Sequence, residues 1–256
     1  VDIKGASVIV TGAASGLGNA TARSFAEKGA VVFGLDLQQS IDKAVEQGID
    51  EGITLIAADV TSEDDVKAAI ARATEAAPLR VVVNCAGIAP GRPHRLQEGR
   101  PPRSTCFETC ISVNLVGTFN VLRLAAEAMS TQDTVDEDGQ RGVIINTASV
   151  AAYEGQVGQI AYAASKGGVY SMGICAARDL AQFGIRVNTI APGTIETPML
   201  KGLTEEFQKS LEAAIPFPSR LGRPSDYAQL ANAIVEHDYL NGESFRMDGA
   251  LRMAPR

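Results

Sequence analysis

An α/β fold with a doubly wound parallel sheet and helices on both faces is what this chain of 256 residues predicts. Three observations carry that reading. Short apolar runs rich in valine and isoleucine alternate with helical patterns, as a parallel sheet covered on both sides requires. A glycine-rich turn joins the first apolar run to the first helical pattern. The length suits a single domain, residues 1–256, and neither a repeat nor a linker divides it.

The elements follow in order. Ser7 to Val10 read as a buried strand. Ala20, Phe25 and Ala26 set the stripe of a helix that Gly29 closes. Ala30 to Leu35 make the next strand, which ends at Asp36, and the runs 53–58, 81–83, 143–145 and 185–190 continue the series. Thr61 or Ser62 is placed to cap a helix starting near Glu63, and Ser225 to cap a later one whose first turn holds Asp226. Two segments interrupt the alternation and read as surface loops, 91–105 rich in Pro and Arg, and 130–142 polar and acidic.

The first turn carries chemistry. In Thr11-Gly12-Ala13-Ala14-Ser15-Gly16-Leu17-Gly18 the glycines let the backbone bend sharply and approach a pyrophosphate, whose charge the N–H groups of the following helix stabilise. A dinucleotide is the expected ligand. Asp36 then selects among dinucleotides, because a carboxylate accepts hydrogen bonds from both ribose hydroxyls and repels a 2′-phosphate. Leu37 follows it rather than an arginine, so the sequence favours NAD over NADP.

A second constellation lies further on. Tyr162 and Lys166 stand one helical turn apart, with Ser149 upstream. On one helix face the Lys166 ammonium would favour the ionised form of the Tyr162 phenol, which otherwise titrates near about 10, and so make it a base near neutral pH. Tyr162 would take the proton of a secondary alcohol as hydride leaves its carbon for the nicotinamide, while Ser149 hydrogen-bonds the substrate oxygen. The expected activity is oxidation of an alcohol or reduction of a carbonyl.

Composition narrows the alternatives. The formal charge of −7 disfavours a general nucleic-acid surface or an anionic membrane. No apolar stretch reads as long enough to span a bilayer, and the opening VDIKGASVIV reads as a strand rather than a signal peptide. A cytoplasmic location is expected, with the mitochondrial matrix as the alternative. Cys85, Cys106, Cys110 and Cys175 lack zinc-ligand grouping, His94 and His237 stand apart, and no metal is expected.

Taken together these motifs resemble the short-chain dehydrogenase/reductase family over essentially the whole chain. The resemblance rests on residues 11–18, Asp59-Val60, Asn84-Cys85-Ala86-Gly87, Asn114, Ser149, the Tyr162–Lys166 pair, Pro192-Gly193 and Thr197-Pro198. It implies a Rossmann fold. It also implies that Ser15 and Leu17 meet the pyrophosphate, that Asp59 and Val60 meet the adenine, and that Cys85, Ala86 and Gly87 lie along the cofactor. Pro192, Gly193, Ile195 and Thr197 would flank the nicotinamide. Lys166 would bind the nicotinamide ribose, and Asn114 would bend a helix to hold a water that relays protons to Lys166. Cys85 departs from the asparagine more common at its position.

Within the family the chain is similar to the type-2 short-chain 3-hydroxyacyl-CoA dehydrogenases, also called type-ten hydroxysteroid dehydrogenases. The similarity is carried by residues 141–159, 190–198, 216–222 and 247–253. It implies an acyl-CoA substrate, a role in fatty acid metabolism and a homotetramer. Tyr153 would form an aromatic wall facing the substrate, with Gln156 and Gln159 reaching its polar groups. Arg92, His94, Arg95, Arg100 and Arg103 crowd the first loop and offer a dock for CoA phosphates. Readings that stay open are an acyl-carrier-protein ketoreductase, a hydroxysteroid dehydrogenase, or a non-enzymatic scaffold in an RNA-processing assembly.

Overall fold

The computed structural model describes residues 1–89, 104–197 and 205–255. Seven parallel strands form one sheet in the order β3-β2-β1-β4-β5-β6-β7. They are β1 (Ser7–Thr11), β2 (Val31–Asp36), β3 (Ile53–Ala57), β4 (Leu79–Asn84), β5 (Gly142–Thr147), β6 (Ile185–Pro192) and β7 (Ser244–Met247). The helices are α1 (Gly16–Glu27), α2 (Gln38–Glu46), α3 (Glu63–Ala76), α4 (Ser104–Ile111), α5 (Thr118–Ser130), α6 (Ile160–Leu180), α7 (Glu205–Ala213) and α8 (Pro224–Glu236). The strand order reverses between β1 and β4, and the crevice at the C-terminal ends there is where such a sheet receives a ligand.

Alternation along each strand divides the core in two. Val8, Val10, Val32, Val81, Val83, Val143 and Ile145 face α1 and α8, packing on Phe25, Tyr227, Ile234 and Val235. The residues between them, Ile9, Phe33, Val82 and Ile144, face α3 and α5, packing on Val66, Ile70, Val121 and Met129. Successive side chains of a strand point to opposite faces, so strands covered on both sides must be apolar at nearly every position. All six residues of β4 and of β5 are buried.

Several expectations are refined. Ser62 is the cap of α3, accepting the Asp65 N–H at 3.3 Å, while Thr61 donates instead to Asp59. Ser225 caps nothing: α8 starts one residue earlier at Pro224, a residue suited to the first helical position, and the Asp226 carboxylate accepts the Arg223 N–H at 2.7 Å. The first loop ends before its predicted limit, because α4 begins at Ser104; the basic residues Arg92 to Arg103 lie outside the described residues. Residues 131–141 do connect α5 to β5, in a turn closed by Val135 N–H to the Gln140 carbonyl at 2.7 Å.

The expectation that nothing could span a bilayer by length also needs correction. The continuous helical run Ser104–Ser130 is long and apolar enough, but 56% of its most apolar window is buried inside the protein. Its apolarity serves the sheet, on which Val121, Leu122, Leu124, Ala125 and Met129 pack.

Candidate active site

Gly12 and Gly18 shape the floor of the crevice. Gly12 has φ +67°, and a Cβ there would stand 2.9 Å from the Ala86 nitrogen, so β1 and β4 can close on each other only without a side chain. A Cβ on Gly18 would lie 2.2 Å from the Gly12 carbonyl oxygen, which brings the start of α1 against the end of β1. The Thr11 hydroxyl ties the two strand ends together by accepting the N–H groups of Cys85 and Ala86 at 3.1 and 3.0 Å.

Along this floor runs a cavity of about 420 Å³ lined by Gly12, Ser15, Gly16, Leu17, Gly18, Asp36, Asp59, Val60, Cys85, Ala86, Gly87 and Thr197, among others. It thus gathers, from at or beyond the ends of five strands, residues that the sequence assigns to a dinucleotide. Asp36 is fixed at its rim: its two carboxylate oxygens accept the N–H groups of Ala14 at 3.0 Å and Leu37 at 2.8 Å. Asp59 turns one oxygen back to Thr61, and the Val60 carbonyl accepts the Asn120 amide at 2.9 Å.

A second cavity of about 200 Å³ shares Leu17, Cys85, Gly87 and Thr197 with the first. Ser149, Tyr162, Lys166, Pro192, Gly193 and Ile195 also line it. The residues expected to do chemistry therefore open onto the end of the dinucleotide groove. Ile195 is held there by a parallel bridge to Gly222, with the Glu196 N–H donating to the Gly222 carbonyl at 2.8 Å.

Asn114 sits where the helical run between Ser104 and Ser130 breaks into a π-turn, Ser112–Gly117. Such a turn inside an α-helix widens it and re-aims its side chains. Asn114 is fully buried; its Oδ1 accepts the Ile88 N–H at 2.8 Å and its Nδ2 donates to the Ile88 carbonyl at 2.9 Å and to Ser165 Oγ at 3.0 Å. A Cβ on Gly87 would touch both Asn114 Oδ1 at 3.1 Å and Lys166 Nζ at 3.5 Å, so these two polar groups face one another across that glycine.

Lys166 is 5% exposed, and its ammonium donates to the Thr147 carbonyl at 2.8 Å. Burial pushes its pKa down from 10.5 to about 8. The phenol of Tyr162 moves the other way: burial pushes it up, the Ser149 hydroxyl pulls it back, and Cys110 raises it slightly. This corrects the expectation of a phenol ionised near neutral pH: burial decides the direction. Lys166 Nζ lies 5.9 Å from the centre of the Tyr162 ring and donates to the Thr147 carbonyl. Burial also pushes the Cys85 thiol up, so it is a neutral wall residue.

The residues expected to face substrate are held elsewhere. Tyr153 packs edge to face on Tyr170, centroids 5.0 Å apart, under the Arg246 guanidinium at 5.2 Å. Gln156 donates to the Ala254 carbonyl and receives the Gln159 amide at 3.2 Å. None of the three lines the cavity shared by Ser149 and Tyr162. Thr147, Ala148, Ile88 and Thr194, by contrast, do line it without having been singled out. Thr147 and Thr194 could have been found from their places at and just beyond the ends of β5 and β6. Among the described residues no cluster of His, Cys, Asp or Glu could hold a metal ion.

Comparison with known proteins gives the same picture. The family described as short chain dehydrogenase matches residues 6–208. The chain is 50% identical to the 3-hydroxyacyl-CoA dehydrogenases type-2 of Bos taurus and Homo sapiens, covering 99% of this chain and 97% of each of theirs. It is 35% identical to the 3-oxoacyl-(acyl-carrier-protein) reductase of Thermotoga maritima, covering 97% of this chain and 98% of that one. The crystal structure of a 3-hydroxyacyl-CoA dehydrogenase type-2 from Mycobacterium avium superposes with a TM-score of 0.90 at 43% identity, over 98% of both chains.

Proposed function

The chain belongs to the short-chain dehydrogenase family, and from that premise we propose that it interconverts 3-hydroxyacyl-CoA and 3-oxoacyl-CoA with NAD. The observation that carries the reading is the meeting of Ser149, Tyr162 and Lys166 with the nicotinamide-side residues Ile195 and Thr197 around one cavity that continues into the dinucleotide groove. The half-identical relatives of named activity support the acyl-CoA substrate.

The residues fit a dinucleotide, since Gly12 and Gly18 let β1, β4 and α1 close on one another, which brings the start of α1 into the wall of the groove. Ser15, Gly16 and Leu17 would hold the pyrophosphate at the start of α1, Asp36 the adenosine ribose, and Lys166 the nicotinamide ribose. NAD supplies a hydride acceptor when bound. Asp36 supports NAD over NADP because its charge opposes a 2′-phosphate.

The chain's own part is to move a proton. Burial keeps Tyr162 protonated through neutral pH, which makes it the acid that delivers a proton to the ketone oxygen in the reducing direction. Ser149 donates its hydroxyl hydrogen to the same oxygen as negative charge develops. In the oxidising direction Tyr162 must first lose its proton, and the buried Lys166 and Asn114 next to it give that proton a polar route inward. A buried ammonium poised near about 8 can take and release protons close to neutral pH.

The test is reduction of acetoacetyl-CoA with NADH, followed as loss of reduced nicotinamide absorbance. Wild type should turn over and Tyr162→Phe should lose at least about 100-fold in kcat; full activity in that variant would overturn the mechanism. A homotetramer belongs to the same proposal. Val116 and Phe119, both 49% exposed, and Tyr170 and Ile174 on α6 leave apolar surface that subunit packing would cover.

A further inference from the structure

The segment 150–159 runs from the residue after Ser149 to the residue before α6, so both of its ends bear on catalysis. It opens with a single 3₁₀ turn, Val150–Ala152, and then continues without regular structure to Gln159. Its position is set from outside. Arg246 on the edge strand β7 makes two parallel hydrogen bonds to the Glu154 carboxylate, 2.9 Å each. A fork of this kind binds a carboxylate with defined direction and about twice the strength of a neutral pair. Both side chains are largely shielded, 20% and 25% exposed, so the pair is screened less than a surface ion pair.

The C-terminal tail closes over the same pair. Arg246 also donates to the Leu251 carbonyl at 2.7 Å and to the Asp248 carboxylate. Glu154 in turn accepts the Met253 N–H at 2.8 Å. Further along, the tail and the segment are joined twice more, by Gln156 to the Ala254 carbonyl and Val157 N–H to the Pro255 carbonyl, both 3.0 Å. Arg246 finally lies over the Tyr153 ring, which is pressed edge to face on Tyr170 of the catalytic helix. One guanidinium thus holds a carboxylate, an aromatic ring and the turn into the tail, all around the backbone that leads from Ser149 to Tyr162.

We propose that Arg246 is a positioning residue for the catalytic pair: through Glu154 and Tyr153, with the tail as a strap, it fixes segment 150–159 and with it the placing of Ser149 against Tyr162 at the segment's two ends. The proposal rests on the acyl-CoA reading above. It assigns the tail no part in holding NAD, because residues 150–159 and 251–255 line neither part of the dinucleotide groove.

The experiment compares wild type with Glu154→Gln, which keeps shape and removes charge, and Arg246→Met, which keeps the stem over Tyr153. Acetoacetyl-CoA reduction should show kcat lowered about tenfold in both variants, with KM for NADH within about twofold of wild type. The double variant should be no worse than Arg246→Met alone, since both act on one contact. A kcat that stays unchanged, or that falls together with a rise in KM for NADH, would overturn the proposal.

Hydrogen exchange separates this outcome from failure of the acyl-CoA reading. Peptides covering 150–158 and 250–255 should lose protection together in Glu154→Gln. Protection lost in neither, or in the tail alone, overturns the clasp even if wild type leaves acetoacetyl-CoA untouched. An inactive wild type with coupled loss of protection would count against the substrate and leave the clasp standing.

Discussion

Tyr227 and Thr147 meet at the end of β5: the phenol oxygen, carried on α8, stands 2.7 Å from the Thr147 hydroxyl. Cys85 completes a closed ring, receiving from Thr147 and donating to Tyr227 at 3.6 Å each, so that all three hydrogens find acceptors. The carbonyl of the same Thr147 carries the Lys166 ammonium. A fully buried tyrosine on one face of the sheet is thereby wired to the lysine in the cleft.

Removing the phenol oxygen alone tests that link. Tyr227→Phe should lower stability by about 1–2 kcal/mol, the cost of leaving buried hydroxyl and thiol partners short of one member. It should also lower kcat about threefold, because its partner Thr147 carries the Lys166 ammonium, and shift KM for NADH by less than about threefold, because its other partner, Cys85, lines the cofactor groove. Urea unfolding and initial rates measure the two effects. An unchanged urea midpoint would show that the ring contributes nothing.

Lys166 gives a prediction with a fixed sign. Its pKa is about 8 in the fold and 10.5 by its ordinary value. Between these limits the unfolded chain binds more protons, so the wild type gains stability relative to Lys166→Met as pH rises through that window. The same gain is lost as pH falls through about 8. The difference between the two proteins should grow by about 2 kcal/mol from pH 7 to pH 10, an order-of-magnitude figure for a buried group. Denaturation at both pH values measures it, and a difference that shrinks would reverse the assignment.

What the sequence made legible follows from how local each signal is. β1, the glycine turn and Asp36 are consecutive along the chain, and their spacing dictates strand, bend and rim without help from elsewhere. Tyr162 and Lys166 share a helix turn, so their proximity was local too, but their charge states were not. Those depend on burial by the sheet and on the Thr147 carbonyl, a contact between residues far apart in the chain. The same reason hid Tyr227, which reads as one more core aromatic until α8 is laid on the sheet. β7 was hidden because its four residues, Ser-Phe-Arg-Met, show no apolar run. Tyr153 was misjudged because Arg246 and Tyr170, which claim its ring, come from other elements.

Cofactor choice turns on the rim. Asp36→Asn with Leu37→Arg removes the charge that opposes a 2′-phosphate and adds one that attracts it, while the Asn oxygen can still accept the Ala14 N–H. The ratio of kcat/KM for NADH over NADPH should fall on the order of 100-fold, which corresponds to about 3 kcal/mol of reversed charge interaction. A ratio that does not move would mean that Asp36 is not the ribose contact.

The close approach of α1 to β1 makes the sharpest demand on a single position. At Gly18 an added methyl would lie 2.2 Å from the Gly12 carbonyl oxygen and 3.0 Å from that of Thr11, and both obstacles are backbone. Neither can rotate aside, so α1 must move outward and take Ser15 and Leu17 with it. Gly18→Ala should therefore cost at least about 3 kcal/mol of stability and weaken NADH binding more than about tenfold. Gly48→Ala is the control for destabilisation without a clash: unlike Gly18, Gly48 has a positive φ, +63°, which a side chain strains, but a Cβ there meets nothing within 4 Å and stands away from the groove. That variant should lose about 1 kcal/mol with NADH affinity intact. Nicotinamide fluorescence titration of the two variants separates backbone strain from loss of the cradle. Equal affinities would remove the glycine turn from the cofactor site.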